Sequence, residues 1–337
     1  MAPQPRARTL AGGLAAALAA LLVAALASGC AGGPAVDTRY TSPNQDSRVL
    51  FIVVHYTVGD FANALRTLTT NSDAPVSAHY LVGDAPPTVY RLVDESRRAW
   101  HAGASCWQDH CGLNASSVGI EIVNPGFRAG AWVPFPPGQI DAVVALIRDI
   151  AWRHAVRGDR ILGHNEIQPQ GKEDPGPLFP WRRLYDAGLI AWPTAQEIAL
   201  GRAAVAALRP DVGWYQDKLV QHGFHLARTG ELDEATRRVL TMFQMRYRPQ
   251  DIAGEPDAET GALLIAVTSD SYVERAQRRP SYQRDMPSIA SQDAAAAPSS
   301  AAWAARQPQA STISATSVGD AALTTSTGAA SRPSTVP

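Results

Sequence analysis

Three apolar runs constrain this chain more than any other feature. Val49–Val54 is a continuous β-rich run that leads into His55. Residues 118–123 form a second, interrupted by Gly119 and Glu121. Ile161-Leu162 is a shorter one that leads through Gly163 into His164. Unbroken apolar strands of this kind are buried on both faces, which requires helices above and below a sheet. One such helix is legible at Gln139–His154, where Ile140, Val143, Val144, Ile147, Ile150 and Ala151 recur at three- and four-residue spacing. The chain is therefore expected to be α/β. Its 337 residues suggest about two domains.

Each run carries or meets a polar residue, and the ends of buried strands are where α/β proteins place chemistry. A histidine there can equally be a satisfied core residue. Glu121 cannot lie unpaired among isoleucine and valine without a penalty of several kcal/mol. It faces solvent at an edge, or it faces a metal, a water or a cation. After His164 comes a Gly- and Pro-rich segment holding Lys172 and Asp174. Two histidines and an aspartate are ligands suited to zinc, and three protein ligands leave a position open for water, as in catalytic sites. In that reading Glu121 shuttles the proton and Lys172 stabilises the oxyanion formed at an amide carbonyl. Lys172 as an exposed loop lysine is the plainer alternative. The separation of His55 from His164 makes the pattern weak without further context.

The ends of the chain stand apart from this core. Arg6 and Arg8 precede an uncharged apolar run, Leu10–Ala27, and small residues follow, as in a secretory signal; a retained helix is the alternative. Ala27-Ser28-Gly29-Cys30 resembles the lipobox of bacterial lipoproteins, with alanine at position 27 where that motif most often has leucine. The resemblance implies a signal peptide over 1–29, acylation of Cys30 and, with Ala31 following, an outer-membrane address facing the periplasm. Residues 30–47 are rich in Gly, Pro, Asn, Asp and Ser and read as a tether. The stretch 269–337 turns to Arg, Pro, Ala, Ser and Thr without periodicity and is expected to be disordered. A net charge of −1 gives no reason to expect a nucleic-acid partner.

Cys106 and Cys111 are separated by four residues in a loop. In an exported protein a local disulfide is the leading reading, and two free thiols binding metal the rival. With Cys30 acylated, no cysteine is left over. His79 lies within a strand-like segment, 77–83, and His101 follows a second one, 88–93; either could line a cleft or be structural.

From about Arg48 to Trp192 the chain resembles the zinc-dependent N-acetylmuramoyl-L-alanine amidases of the type-2 class, related in fold to the peptidoglycan recognition proteins. The matching pieces, in order, are Val54-His55-Tyr56-Thr57, 77–82, 99–103, 114–121, 163–167 and 172–176. The resemblance implies a central mixed β-sheet flanked by helices over 48–193. It implies His55, His164 and Asp174 as ligands of one zinc ion, Glu121 as acid/base and Lys172 as the oxyanion-stabilising cation. His79, Trp100, His101 and Asn114 become candidates for substrate contact or fold support, and Glu166 a supporting carboxylate. The scissile bond would join the lactyl group of N-acetylmuramic acid to L-alanine, in peptidoglycan or its fragments. An intact third ligand favours an enzyme over a non-catalytic recognition protein or a simple wall-tethering lipoprotein. The expected partners are muropeptides and, through the lipid anchor, a membrane; the expected state is a monomer.

The second half opens with Thr194–Leu208, read as a linker over 194–209. A smaller helical unit over 210–268 contains a repeat: Gly230-Glu231-Leu232-Asp233 recurs as Gly254-Glu255-Pro256-Asp257. Each aspartate is placed to N-cap a helix. This pattern, with Phe243-Gln244 downstream, resembles the three-helix peptidoglycan-binding domain; a helical bundle without a ligand is the alternative.

Overall fold

The computed structural model describes residues 36–280. The signal segment, Cys30 and the tail beyond Pro280 lie outside them. Residues 36–46 form a unit of their own, exposed throughout and without helix or strand.

The apolar runs become the centre of a five-stranded sheet. Its strands are β1 (Phe51–Tyr56), β2 (Tyr80–Val82), β3 (Val89–Arg91), β6 (Ser117–Ile122) and β9 (Ile161–Gly163), in the order β3-β2-β6-β1-β9. Only β3 runs antiparallel to its neighbour, so the sheet is mixed. β1 begins two residues later than its apolar run and takes in His55 and Tyr56. β9 stops at Gly163, so His164 does not end a strand but opens a one-turn helix, α3 (His164–Ile167).

Period-two alternation sends the two faces of the sheet into different cores. Ile52, Val54, Ile120, Ile122 and Ile161 meet the apolar stripe of α2 (Pro137–His154), which starts two residues before the expected helix because Pro137 serves as its first residue. Phe51, Val53 and Leu162 face the other way. The remaining amidase-like elements are α1 (Phe61–Thr69), the small hairpins β4 (Cys106–Trp107) with β5 (His110–Cys111) and β7 (Phe127–Arg128) with β8 (Ala131–Trp132), and α4 (Trp181–Asp186). Cys106 and Cys111 are register partners in their hairpin and form a disulfide with an S–S distance of 2.02 Å.

The second half consists of α5 (Ala195–Leu208), α6 (Val212–His222), α7 (Glu234–Tyr247), α8 (Ala258–Val267) and α9 (Asp270–Ala276). Asp233 and Asp257 cap α7 and α8 as the repeat predicts, accepting from the N–H groups of Thr236 and Thr260. A buried glutamine completes each copy. The Gln216 amide bonds the Gly230 N–H and the Thr236 hydroxyl, and Gln244 does the same for Gly254 and Thr260.

α9 lies within 269–337, the stretch expected to be disordered, and is a helix there: Ser269 caps it by accepting from the Tyr272 N–H, and Tyr272 and Ala276 are buried. Two further features depart from the expected domain plan. α5 is not a free linker: it packs along α8 so closely that a Cβ on Gly201 would stand 2.5 Å from the Ala262 carbonyl oxygen. Second, Phe51, Val53 and Leu162 share one apolar cluster with Leu219, Val239, Leu240 and Phe243 of α6 and α7. The helical half supplies the second layer that the sheet needs.

Candidate metal centre and active site

The parallel register lines up the ends of three strands. His55 on β1 is the partner of Glu121 on β6, and Val54 is the partner of Gly163, so His55 also stands level with the residue after β9, His164. The loop leaving α3 then folds back: the Asn165 N–H donates to the Asp174 carbonyl at 2.8 Å, bringing the Asp174 side chain to the same point. Residues 119 positions apart in sequence thus meet because strand order, not sequence, sets neighbours.

The three side chains form a tight buried triangle. His55 Nδ1 lies 3.0 Å from His164 Nδ1, and Asp174 Oδ2 lies 3.0 Å from each. Hydrogen-bond chains behind the rings fix their tautomers. The Ser117 hydroxyl donates to the Leu113 carbonyl at 2.6 Å, so its oxygen accepts from His101 Nε2–H at 3.1 Å. His101 Nδ1 is then an acceptor and takes the proton of His55 Nε2–H at 3.0 Å. His164 Nε2–H donates to Gln168 Oε1 at 3.2 Å. Both Nδ1 atoms are therefore lone pairs pointed at each other and at a carboxylate. Three acceptors without a shared proton repel one another, and a divalent cation between them removes the conflict. These are the donor atoms that zinc takes at about 2.0–2.2 Å.

Ionisation favours the same occupant. Burial pushes His55 down to about 4, which keeps it neutral and able to ligate at pH 7. Burial disfavours the Asp174 carboxylate, but its two histidine neighbours more than offset that and hold it ionised. Glu121 is raised well above the ordinary carboxylate range, by burial first and by Asp174 second, while Lys172 opposes the shift. Its Oε2 is buried and has no hydrogen-bond partner among the described residues. An orphaned carboxylate oxygen beside three converging acceptors marks the place of a missing polar group. Lys172 is exposed on the loop between α3 and Asp174, close enough for its charge to act on both Glu121 and His55.

The candidates for substrate contact or fold support separate by geometry. His79 is fully buried; its Nδ1 accepts from the Gly119 N–H and its Nε2 lies 3.1 Å from the Arg97 carbonyl. His101 is buried behind His55, over Gly119, where a Cβ would stand 2.4 Å from its ring. The Asn114 side chain accepts from the N–H groups of His101 and Ala102. His79 and His101 have both ring nitrogens engaged within the fold around the candidate metal centre, and Asn114 uses its side-chain oxygen to hold the His101 segment. Trp100 differs, with 45% of its surface exposed. The residue that sequence reasoning missed is Gln168. Its signal was its position four residues after His164, one helical turn away.

The family model described as N-acetylmuramoyl-L-alanine amidase matches residues 45–177, and a peptidoglycan binding domain model matches 209–264. The chain is 39% identical over 246 residues to N-acetylmuramoyl-L-alanine amidase AmiD of Escherichia coli, covering 70% of this chain and 88% of that one. A solved complex of AmiD with anhydro-N-acetylmuramic acid-L-Ala-D-gamma-Glu-L-Lys superposes with a TM-score of 0.62 at 37% identity, over 68% of this chain and 93% of that one. AmpDH3 of Pseudomonas aeruginosa, solved with anhydromuramic pentapeptide, gives a TM-score of 0.64 at 32% identity, over 69% and 97%.

Proposed function

Since the chain belongs to the N-acetylmuramoyl-L-alanine amidase family, we propose that it is a zinc-dependent hydrolase of the amide between the lactyl group of N-acetylmuramic acid and L-alanine. The observation that carries this is the triangle of His55, His164 and Asp174 with the orphaned Glu121 Oε2 beside it. Anhydromuramoyl peptides bound to AmiD and AmpDH3 support muropeptide fragments as substrates.

His55, His164 and Asp174 would hold the ion. When bound, zinc supplies Lewis-acid chemistry and brings the pKa of a coordinated water toward about 7. Glu121 takes the proton from the attacking water; its raised basicity suits a carboxylate for that task. As the carbonyl carbon gains its new C–O bond, Lys172, exposed on the loop before Asp174, offers its ammonium to the developing oxyanion. Glu121 then returns the proton to the alanine nitrogen as the C–N bond breaks. The products are a lactyl carboxylate and a peptide with a free N-terminal alanine. Trp100 offers an exposed apolar surface for sugar or peptide.

The helical half is proposed to hold peptidoglycan, supported by its family match. Acylation of Cys30 would anchor the protein to the outer membrane, facing the periplasm, with 30–47 as a tether.

The test is to incubate purified sacculi and anhydromuropeptides with the protein, with and without chelator, and to quantify new N-terminal alanine. Release that chelator abolishes and zinc restores is expected. No release from metal-replete protein would refute the reading.

A further inference from the structure

We infer that α7 of the helical half is a structural part of the metal centre, and that Arg246 is a positioning residue for the ligand His164. α3 is only 4 residues long. A helix of four residues cannot sustain itself, because nucleation costs more than one turn of hydrogen bonds returns. Its orientation, and with it the aim of His164 Nδ1, must be imposed from outside.

Beside its contacts with the other ligands and with Gly163, the segment 164–170 is held by four polar side-chain contacts from one face of α7. The Arg246 guanidinium is 6% exposed and donates from Nη1 to Glu166 Oε2 at 2.7 Å and to the Ile161 carbonyl at 3.3 Å. Its plane lies 4.0 Å over the Trp181 ring. The same Glu166 oxygen accepts the Gly163 N–H at 2.7 Å, tying the end of β9 to α3. Arg246 therefore grips strand end, helix and carboxylate at once, two residues from the metal ligand. Three further contacts continue along the helix. Asn165 Nδ2 reaches Met245 Sδ at 3.6 Å, Arg238 Nε donates to the Pro169 carbonyl at 3.1 Å, and Gln170 Nε2 donates to the Ala235 carbonyl at 3.1 Å. Positions 235, 238, 245 and 246 recur at helical spacing, so one face of α7 backs the segment from His164 to the start of the Lys172 loop.

A buried ion pair is costly to half-remove, since the remaining charge is left unpaired. Loss of Arg246 removes the group that ties the Glu166 carboxylate to the Ile161 carbonyl, and leaves the Gly163 N–H as the remaining hold of that carboxylate on the strand end, so α3 is free to shift. The movement would carry His164 with it. The helical half is thus required for the geometry of the ion site, apart from any hold it has on the wall.

The inference rests on the reading of His55, His164 and Asp174 as zinc ligands. The experiment is zinc affinity of the full chain, by competition with a chromophoric chelator in the absence of substrate, for the parent, Arg246→Met and Arg202→Ala. Arg202 pairs with Glu259 at the far side of the helical half and serves as control. Arg246→Met is expected to weaken zinc binding by about 10-fold or more, the usual consequence of removing support from a ligand. Restoring charge balance with Glu166→Gln in the same chain is expected to recover part of the loss. A smaller change in folded Arg246→Met, or an equal loss in Arg202→Ala, overturns the inference. If Arg246→Met does not fold, Arg246→Lys carries the test with the same threshold, since lysine keeps the charge but loses the fork and the stacking on Trp181. A parent chain that binds no zinc would instead refute the metal-centre reading itself.

Discussion

The Glu121 carboxylate sits in a strand that has no partner for one of its oxygens. Replacing it with alanine removes a proton carrier and leaves the three ligand atoms where they are. Glu121→Ala is expected to keep its zinc, measured by metal analysis, and to lose turnover by about 10²–10⁴-fold. Equal loss of metal would move Glu121 into the ligand set. His101 is the opposite case. It touches no substrate position, yet its Nδ1 is the acceptor that holds His55 in the ligating tautomer. His101→Phe conserves volume and removes that acceptor; chelator competition should register zinc weakened by about 10-fold or more. A His101→Phe protein with parental affinity would show that strand geometry alone aims His55.

Among the elements, β6 and α5 show how small residues set distance. Gly119 leaves the room that the His101 ring fills. Gly201 lets α5 and α8 touch backbone to backbone. Gly201→Val forces the two helices apart and is expected to cost about 1–3 kcal/mol in urea denaturation, the usual price of overpacking. Specific activity per folded molecule should not change, because α5 packs against α8 while the polar contacts that hold α3 come from α7. The repeat in the second half also works at this scale. Asp233 and Asp257 cap their helices, while Gln216 and Gln244 satisfy the turns that precede them.

For the whole molecule, the decisive feature is that the sheet buries one face against α2 and the other partly against α6 and α7. That interface contains a histidine. Burial, with the charge of Arg246 adding to it, pulls His222 down to about 3 from its ordinary 6.5. Between those values the unfolded chain binds a proton that the folded chain refuses. The stabilisation from keeping His222 neutral is complete above about pH 6.5 and is lost as pH falls toward 3. Glu95 acts lower. Burial opposes its ionisation, but Arg153, His154 and Tyr80 overcome this and hold it at about 2, so its share of stability fades between about pH 4.5 and 2. Urea midpoints at about pH 7 and pH 5 should therefore fall for the parent and fall less for His222→Phe; parallel behaviour would exclude His222 as a source of the acid lability.

The sequence by itself determined the strands, the long helix and the identity of the chemical groups. Apolar runs must be buried and a lone glutamate among them needs a reason, so Val49–Val54, Glu121 and Gln139–His154 were legible from composition and period. The disulfide of Cys106 and Cys111 was legible from their spacing, given the expectation that the chain is exported. Tertiary structure alone decided which polar residues share a site and which only support it. His79, His101 and His55 look alike in sequence, since each borders an apolar stretch. Register separates them, because a parallel ladder places His55 beside Glu121 and His164, while His101 lies one layer behind. The same holds for α5 and α7. A helical period shows an apolar face but not what covers it, and here the cover joins the half matched by a peptidoglycan binding domain model to the back of the candidate metal site.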